Sequence, residues 1–535
     1  MREAACHEAP RFLLPRAITS IHANIRGQST AHARSRTPST PEKQNTTSKN
    51  ATKIDPVVLP RPAPPTALDD KMASTAEQAH ATRASLPSQL PPLILGTATF
   101  NTQYVDDPAR MPYTSIVSRA LDLGVNAFDT SPYYGPSEIL LGDALHHLTT
   151  PNSANAEIAD STTQTHARES YMILTKAGRI AGDSFDYSPA WIRYSVLRSL
   201  KRLHTPYLDL VYCHDVEFVS PAEVLAAVKE LRRLRDQDGV IRHVGISGYP
   251  VDVLCELAEM IKRETGEPVD AVMSYCHCTV QNHRLVQGFM GDEPEPASSV
   301  ASAATPTEQL PPLVRLKRAG VSTVLNASML GMGLLTTRGV DHGPQAAWHP
   351  SPPPLRKACA DMAAAATAAN EKLERLAIRW SLDTFARAGA RAGLGVSLQG
   401  KTGHLQLSDS SSIGGSVMGI TSLAELEETW DVWMSVLAES VPSVSLDAAV
   451  SKEAAKDVVV ARGETDDLQT ASLKRCDQVQ RLVKETLWPL LGEWRNHSWS
   501  SGGKDFVNDR NPEDMGVVPT DDGILAEYEA NKKPT

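Results

Sequence analysis

The sequence alternates between short apolar runs and amphipathic helical runs, and the alternation repeats eight times between residues 91 and 436. Short apolar runs of this kind are typical of buried parallel strands. The dinucleotide fingerprint GxGxxG is missing after the first run, because Gly96-Thr-Ala-Thr-Phe-Asn101 has a single glycine. Eight uninterrupted strand–helix units without that fingerprint predict an α/β protein with a (β/α)8 TIM barrel rather than an open doubly wound sheet.

Each element is assigned from its apolar pattern. The first strand, Pro91-Pro-Leu-Ile-Leu-Gly96-Thr97, ends on a glycine, and we expect Ile139, Leu140 and Leu141 to pack inward from the second helix. The predicted strands cover residues 91–97, 125–129, 171–175, 208–213, 242–246, 270–274, 322–326 and 416–419. The predicted helices cover residues 114–123, 136–148, 189–203, 221–235, 251–263, 310–319, 362–385 and 423–436, with a terminal helix over 472–494.

Composition and charge limit the classes of function. The 535 residues are 41% hydrophobic and carry a formal net charge of −10, so the chain can bury a large core. An acidic body argues against a general nucleic-acid binder and is typical of a soluble enzyme. No apolar run approaches the ~20 residues needed to span a membrane. We therefore expect neither nucleic acid nor membrane as a partner.

The seven cysteines are scattered, odd in number and without a CxxC pair. This usage indicates a reducing compartment rather than a disulfide framework, and we expect a cytoplasmic protein. Cys276-His277-Cys278 is the one cluster with metal-ligand residue types. No second ligand pair follows it, and alternate strand residues face opposite sides of a sheet, so we predict no metal site.

The chain begins with a segment unlike the rest. Residues 1–88 are rich in Ser, Thr, Pro, Ala and Arg and lack sustained periodicity, which predicts a disordered extension. Residues 1–40 contain six arginines and only two acids, a composition similar to an organelle transit peptide. Mitochondrial targeting by residues 1–40 is therefore an alternative to a cytoplasmic protein with an unstructured tail.

The barrel is expected to fill residues 89–500, followed by a loosely ordered tail over 501–535. A (β/α)8 barrel needs only ~250 residues, so the surplus must lie in insertions between elements. The candidate insertions are polar or rich in Pro, Gly, Ser and Ala, and they cover residues 149–168, 291–309, 341–354, 388–412 and 438–470.

Four ionisable residues follow three consecutive predicted strands. Asp129 ends the second strand and Tyr134 follows it, while Lys176 comes after the third strand and His214 after the fourth. The carboxyl ends of barrel strands form one face, so these groups can converge.

A tyrosine pKa near ~10 is too high for efficient proton transfer at neutral pH, but an ammonium beside it lowers that pKa. Lys176 can supply the ammonium, Asp129 can orient it, and His214 can bond to the reacting oxygen. Such a site suits carbonyl–alcohol interconversion with a nicotinamide hydride carrier.

Several motifs occur in an order and spacing similar to those of the aldo-keto reductase superfamily. They are Leu95-Gly-Thr97, Phe128-Asp-Thr-Ser-Pro-Tyr-Tyr-Gly135, Thr175-Lys176, Tyr207-Leu-Asp-Leu-Val-Tyr-Cys-His214, Gly239-Val-Ile-Arg-His-Val-Gly-Ile-Ser247 and Leu376-Ala-Ile-Arg-Trp380. The resemblance implies a catalytic tetrad of Asp129, Tyr134, Lys176 and His214, with Tyr134 as general acid and base. Within the superfamily the chain most resembles the branch of D-arabinose and L-galactose 1-dehydrogenases, which oxidise C1 of a free aldose to an aldonolactone.

The resemblance also implies the residues that hold a nicotinamide cofactor. They are Gly96, Thr97, Ser247, Ser274, Ser328, Leu330, Glu425 and Glu428. The chain departs from the family where Gly248 follows Ser247 in place of an asparagine and where Ala327 replaces a stacking aromatic residue.

No Lys or Arg lies between residues 418 and 429, and Glu425 occupies the position of the usual arginine. A carboxylate there repels a 2′-phosphate and accepts bonds from ribose hydroxyls, which predicts NAD over NADP. The alternative is that both glutamates only favour the helix amino terminus.

The function implied is oxidation of a free aldose by NAD, with NADP as the less favoured cofactor. The alternatives are a carbonyl reductase of broad specificity and a non-catalytic nicotinamide-binding barrel that acts as a sensor or subunit. The presence of all four tetrad residues favours an enzyme with a small sugar or carbonyl substrate. We expect a monomer or dimer.

Overall fold

The computed structural model describes residues 84–149, 166–290, 310–398, 412–440, 475–503 and 505–531. Eight parallel strands close into a barrel in which neighbours follow the chain order and the last strand pairs with the first. The strands are β1 Leu93–Gly96, β2 Ala127–Asp129, β3 Met172–Ala177, β4 Leu208–His214, β5 Ile241–Gly248, β6 Ala271–Tyr275, β7 Thr323–Ala327 and β8 Gly415–Gly419. The predicted (β/α)8 TIM barrel is confirmed.

Helices follow each strand and surround the barrel. They are α1 Tyr113–Asp122, α2 Ser137–Thr149, α3 Pro189–Arg202, α4 Pro221–Asp236, α5 Val251–Thr265, α6 Pro312–Arg318, α7 Pro353–Ala368, α8 Leu373–Ala392 and α9 Leu423–Ser440. The single helix predicted over 362–385 is two helices, α7 and α8. Asn370 adopts a left-handed φ of 59° between them, a conformation that ends a helix.

The strands are buried on both faces, because barrel side chains fill the interior while helices cover the outside. All six residues of β3 are buried, including Lys176, and all seven residues of β4 are buried, including His214. In the strand register, Gly96 pairs with Asp129 and His214 pairs with Ser247. The polar residues that follow the apolar runs therefore share the carboxyl end of the barrel.

Helix α2 corrects one prediction about the core. Leu140 and Leu141 are buried as predicted, but Ile139 is 45% exposed. Three consecutive helical residues span about 200° of the helix, so they cannot all face one core.

The two ends of the chain differ from the predicted boundaries. The predicted junction between residues 88 and 89 falls inside a short helix, Leu86–Gln89, and Leu86 is buried. At the other end, where the sequence predicts a loose tail, Ile524 packs against Trp191 and Tyr194 of α3. The Tyr194 hydroxyl donates to Asp522 at 2.7 Å. Ile524 begins a short helix, Ile524–Asn531, and Leu525 and Tyr528 of that helix pack against the same cluster.

Several other predictions fall wholly or largely outside the described residues. These are residues 1–83 of the predicted extension and the predicted insertions at 149–168, 291–309, 388–412 and 438–470. The first residues of the 388–412 segment belong to α8, and the first residues of the 438–470 segment belong to α9. Among the described residues, no helix combines the length and the apolar composition needed to cross a membrane.

Gly142 allows α2 to lie directly against the end of α3. A Cβ at this position would lie 2.0 Å from the carbonyl oxygen of Arg202, which is backbone and cannot move cheaply. We predict that Gly142→Ala lowers the free energy of unfolding by about 1–3 kcal/mol, the range of overpacked cores. Urea denaturation measures this change. Gly182→Ala is the control, since no atom lies within 4 Å of its added Cβ. Equal losses in both variants would contradict the close contact.

Candidate active site

A buried ion pair lies at the ends of β2 and β3. Lys176 Nζ is 2.6 Å from Asp129 Oδ1 and donates a second bond, at 2.9 Å, to the carbonyl oxygen of Thr130. The lysine and aspartate side chains are only 2% and 5% exposed. Burial raises the pKa of Asp129, and the ammonium of Lys176 opposes that rise. The pair thus fixes the position of the Lys176 ammonium at the carboxyl end of the barrel.

Tyr134 lies above this pair in the turn that follows β2. Its ring centre is 4.7 Å from Lys176 Nζ. Burial raises the pKa of Tyr134 well above its usual value, Asp129 and Asp215 raise it further, and Arg179 opposes them. The low pKa expected from the nearby ammonium is therefore corrected, because burial and the two carboxylates outweigh the cations around the phenol. The ammonium is already bound by Asp129, whose own charge acts on the phenol in the opposite direction.

His214 closes the group from the end of β4. Its ring meets the Tyr134 ring edge to face, with centres 5.6 Å apart, and its Nδ1 lies 3.1 Å from Ser131 Oγ. Burial lowers the pKa of His214 to about 3, so the imidazole is neutral at physiological pH. The structure thus brings all four predicted residues together, with two paired charges below and two neutral proton-exchanging groups above.

The four side chains line one end of a cavity of about 940 Å³. Six of the predicted cofactor residues line the same cavity: Gly96, Ser247, Ser328, Leu330, Glu425 and Glu428. The structure differs from the prediction at Thr97 and Ser274, which lie behind the wall. The Thr97 hydroxyl bonds to Ser137 and to the carbonyl oxygen of Asp129, while Ser274 Oγ is 3.5 Å from His277 Nδ1. The Thr97 hydroxyl links the ends of β1 and β2, whereas the Ser274 hydroxyl contacts the segment that follows its own strand.

The cavity walls also have the chemistry to bind a dinucleotide. The loop after β7 contains four residues with left-handed backbone among six, namely Ser328, Gly331, Met332 and Gly333. The N–H groups of Gly331 and Gly333 donate to the carbonyl oxygens of Ser328 and Leu330, so the loop holds this sharp turn with its own hydrogen bonds. The amino terminus of α9, a position that favours a bound phosphate, borders the same cavity through Thr421. The residues present therefore fit a nicotinamide dinucleotide.

The far end of the cavity contains charges that the sequence pattern did not reveal. Glu425 accepts hydrogen bonds from the backbone N–H of Thr421 at 2.7 Å and from its hydroxyl, so it does cap α9. Glu428 lies 3.6 Å from both Lys372 Nζ and Arg375 Nη1. These two cations come from the start of α8, more than forty residues earlier in the chain. Only the fold brings them to this position.

Three further residues border the cavity near Tyr134. Arg179 Nη1 lies 2.6 Å from Asp215 Oδ2. Trp499, from the terminal segment, stacks on Tyr249 with ring centres 4.9 Å apart. Adjacency to Lys176 and His214 could have identified Arg179 and Asp215 from the sequence, whereas Trp499 gives no such signal.

Comparison with known proteins places these observations in a family. Residues 92–443 match the model of the aldo/keto reductase family. The chain is 39% identical over 308 residues to D-arabinose 1-dehydrogenase of Saccharomyces cerevisiae, covering 57% of this chain and 79% of that protein. It is 31% identical over 314 residues to L-galactose dehydrogenase of Arabidopsis thaliana, covering 58% and 82%.

A solved structure, the glycerol dehydrogenase of Gluconobacter oxydans, aligns with a TM-score of 0.40 at 20% identity, covering 68% of this chain and 96% of that one. The family match spans well over half of the chain, and it includes every barrel strand. The chain therefore belongs to the aldo/keto reductase family, whose members are oxidoreductases that use nicotinamide cofactors.

Proposed function

We propose that the protein oxidises C1 of a free aldose, similar to D-arabinose or L-galactose, to an aldonolactone with NAD. The observation that carries this proposal is the grouping of Tyr134 and neutral His214 beside the Lys176–Asp129 pair, at the wall of one cavity. The two sugar dehydrogenases among the relatives support the substrate class. The grouping of all four side chains favours an enzyme over a non-catalytic nicotinamide-binding subunit.

In this reaction the phenolate form of Tyr134 takes the proton of the C1 hydroxyl while C1 loses a hydride. The bound nicotinamide supplies the hydride acceptor. The C1–O bond becomes the carbonyl of the lactone, so two electrons and one proton leave with the hydride and a second proton leaves through the phenol. Lys176, 4.7 Å from the ring centre, stabilises negative charge that develops on the phenol oxygen. His214, being neutral, donates a hydrogen bond to the same substrate oxygen without changing its charge.

The preference for NAD rests on the charges at the far end of the cavity. Glu425 and Glu428 both border it, and a carboxylate repels a 2′-phosphate while accepting bonds from ribose hydroxyls. Lys372 and Arg375 would favour NADP by themselves, but both lie 3.6 Å from Glu428. We propose that Glu428 balances these cations and that the enzyme uses NAD in preference to NADP.

One observation favours a second candidate, a carbonyl reductase. A tyrosine whose pKa is raised well above its usual value is protonated at neutral pH. A protonated phenol is the form that donates a proton to a carbonyl oxygen during reduction. The same site would then work mainly in the opposite direction.

A panel of aldoses with NAD and with NADP tests the proposed function. Absorbance of the reduced cofactor should rise with D-arabinose or L-galactose, and the product should be the lactone. Reduction of simple aldehydes without oxidation of any aldose would instead favour the reductase. An inactive protein that still binds NAD would favour the non-catalytic barrel.

Tyr134→Phe is predicted to lower kcat by about 10²–10⁴-fold, the usual contribution of a positioned proton-transfer group. NAD affinity should remain close to wild type, because other strand ends and loops contact the cofactor. Steady-state kinetics and a fluorescence titration with NAD measure the two effects. Tyr133→Phe is the control, since it removes the neighbouring hydroxyl and should retain most of the turnover. Turnover of Tyr134→Phe near the wild-type level would exclude Tyr134 from the mechanism.

The pKa directions predict an asymmetric dependence on pH. Oxidation needs Tyr134 to accept a proton, and the raised pKa makes the phenolate scarce, so kcat should rise across about pH 6–9. Reduction needs the protonated phenol and should stay level over this range. His214, with a pKa of about 3, should add no inflection. Rate profiles in both directions measure this, and an oxidation rate independent of pH would contradict the assignment.

Changing the carboxylates at the far end is predicted to shift cofactor choice. Glu425→Arg adds a cation, and Glu428→Gln releases Lys372 and Arg375. Each should raise the NADP-to-NAD ratio of kcat/KM by about five- to thirtyfold, equivalent to about 1–2 kcal/mol. Glu427→Gln is the control on the same helix, because Glu427 bonds to Arg119 at 3.1 Å and does not border the cavity. A wild-type preference for NADP would refute the proposal.

A further inference from the structure

We propose that the Asp215–Arg179 ion pair is a specificity element that binds neighbouring hydroxyl groups of a polyhydroxylated substrate. The inference rests on the proposed function, because it names the chemical feature by which the same site selects its substrate. Both residues border the cavity beside Tyr134 and His214. Asp215 directly follows His214 in the chain, so the pair lies next to the reacting carbon.

The guanidinium of Arg179 is held rigidly. Its Nη1 donates to Asp215 Oδ2 at 2.6 Å, while its Nε and Nη2 donate to the carbonyl oxygen of Gly182 at 3.1 and 2.8 Å. Its centre lies 3.9 Å from the ring centre of Tyr133. A preorganised guanidinium loses little conformational entropy when it binds a further oxygen.

The backbone of Asp215 is strained. Its φ of 56° and ψ of 61° lie in the left-handed region, which costs a non-glycine residue free energy. Strain of this kind persists where surrounding contacts enforce it and is concentrated at functional sites. Here the conformation leaves Asp215 Oδ2 within 3.5 Å of His214 Nε2 as well as beside Arg179. The left-handed turn at Asp215 thus places its carboxylate next to the imidazole of His214.

The chemistry of the pair matches a polyol. A buried ion pair adds little to stability, because the loss of hydration offsets the attraction between the charges. At a cavity wall the same two groups offer an acceptor and a donor side by side. Adjacent hydroxyls can donate to the carboxylate and accept from the guanidinium, so both charges stay satisfied when water leaves. A substrate without hydroxyls would displace water from the pair without replacing the hydrogen bonds of that water, which is how a polar site rejects an apolar analogue.

The same geometry defines a competing role, in which Asp215 acts solely by orienting His214. That role would affect every substrate equally, whereas recognition of hydroxyls affects only hydroxylated ones. The two roles are therefore separated by comparing substrates that differ in hydroxyl groups alone.

Glyceraldehyde and propanal form such a pair, with the same three carbons and with or without two adjacent hydroxyls. The test measures kcat/KM for the reduction of both by wild type, by Asp215→Asn and by Arg179→Gln. Asn also tolerates the left-handed backbone, so the first variant should keep the local fold. We expect wild type to prefer glyceraldehyde and each variant to lower the ratio of the two constants by about tenfold or more. An unchanged ratio, whatever the loss of overall rate, would overturn the proposal, as would a wild type without preference.

Asp209→Asn is the matched control. Asp209 forms another buried ion pair, with Arg168 at 2.7 Å, near the amino end of β4 and away from the cavity. Its loss should lower stability and leave the substrate ratio unchanged.

A binding measurement keeps the inference separate from the proposed function. Calorimetry of D-arabinose with NAD-saturated Tyr134→Phe does not depend on turnover. We expect the additional change Asp215→Asn to weaken this binding by about tenfold or more. Equal affinity would overturn the inference. Failure of wild type to oxidise any aldose, together with a weakened Asp215→Asn complex, would refute only the proposed reaction.

Discussion

The buried contact between Lys176 and Asp129 constrains the rest of the site. An ammonium without a partner inside the barrel would cost several kcal/mol, so the ends of β2 and β3 must keep the register that joins the two charges. Tyr134 then lies over the lysine, and His214 packs against Tyr134 from the next strand. The position of the two proton-exchanging groups thus follows from the need to pair one buried charge.

Burial also determines how these groups titrate. The surroundings that exclude water from the ion pair raise the pKa of Tyr134 and lower that of His214 to about 3. Both groups are neutral at physiological pH, and the fixed charges along the cavity occur in opposed sets. Lys176 and Asp129 lie beneath the reacting position, Arg179 and Asp215 form the wall beside it, and Glu428 faces cations at the far end. Separate charge pairs can therefore serve proton transfer, substrate selection and cofactor selection within one cavity.

The sequence predicted the parts of this arrangement that depend on local order. Apolar runs that end on a single ionisable residue correctly predicted that Asp129, Lys176 and His214 lie together. The reason is that the carboxyl ends of all barrel strands share one face. Contacts across the fold could not be read in this way. Arg375 reaches Glu428 from another helix, and Trp499 reaches the cavity from the terminal segment. The pKa of Tyr134 could not be read from the sequence for a related reason, since it depends on burial and on the balance of several charges around the phenol.

The central claim is that the site removes a hydride from C1 of an aldose. The most direct measurement uses D-arabinose deuterated at C1, with NAD as acceptor, and follows the label by NMR. The account predicts that deuterium appears at the reactive carbon of the reduced nicotinamide, that the sugar product is the lactone, and that the deuterated sugar reacts more slowly. Reduced cofactor without deuterium, or label retained on the sugar, would contradict it.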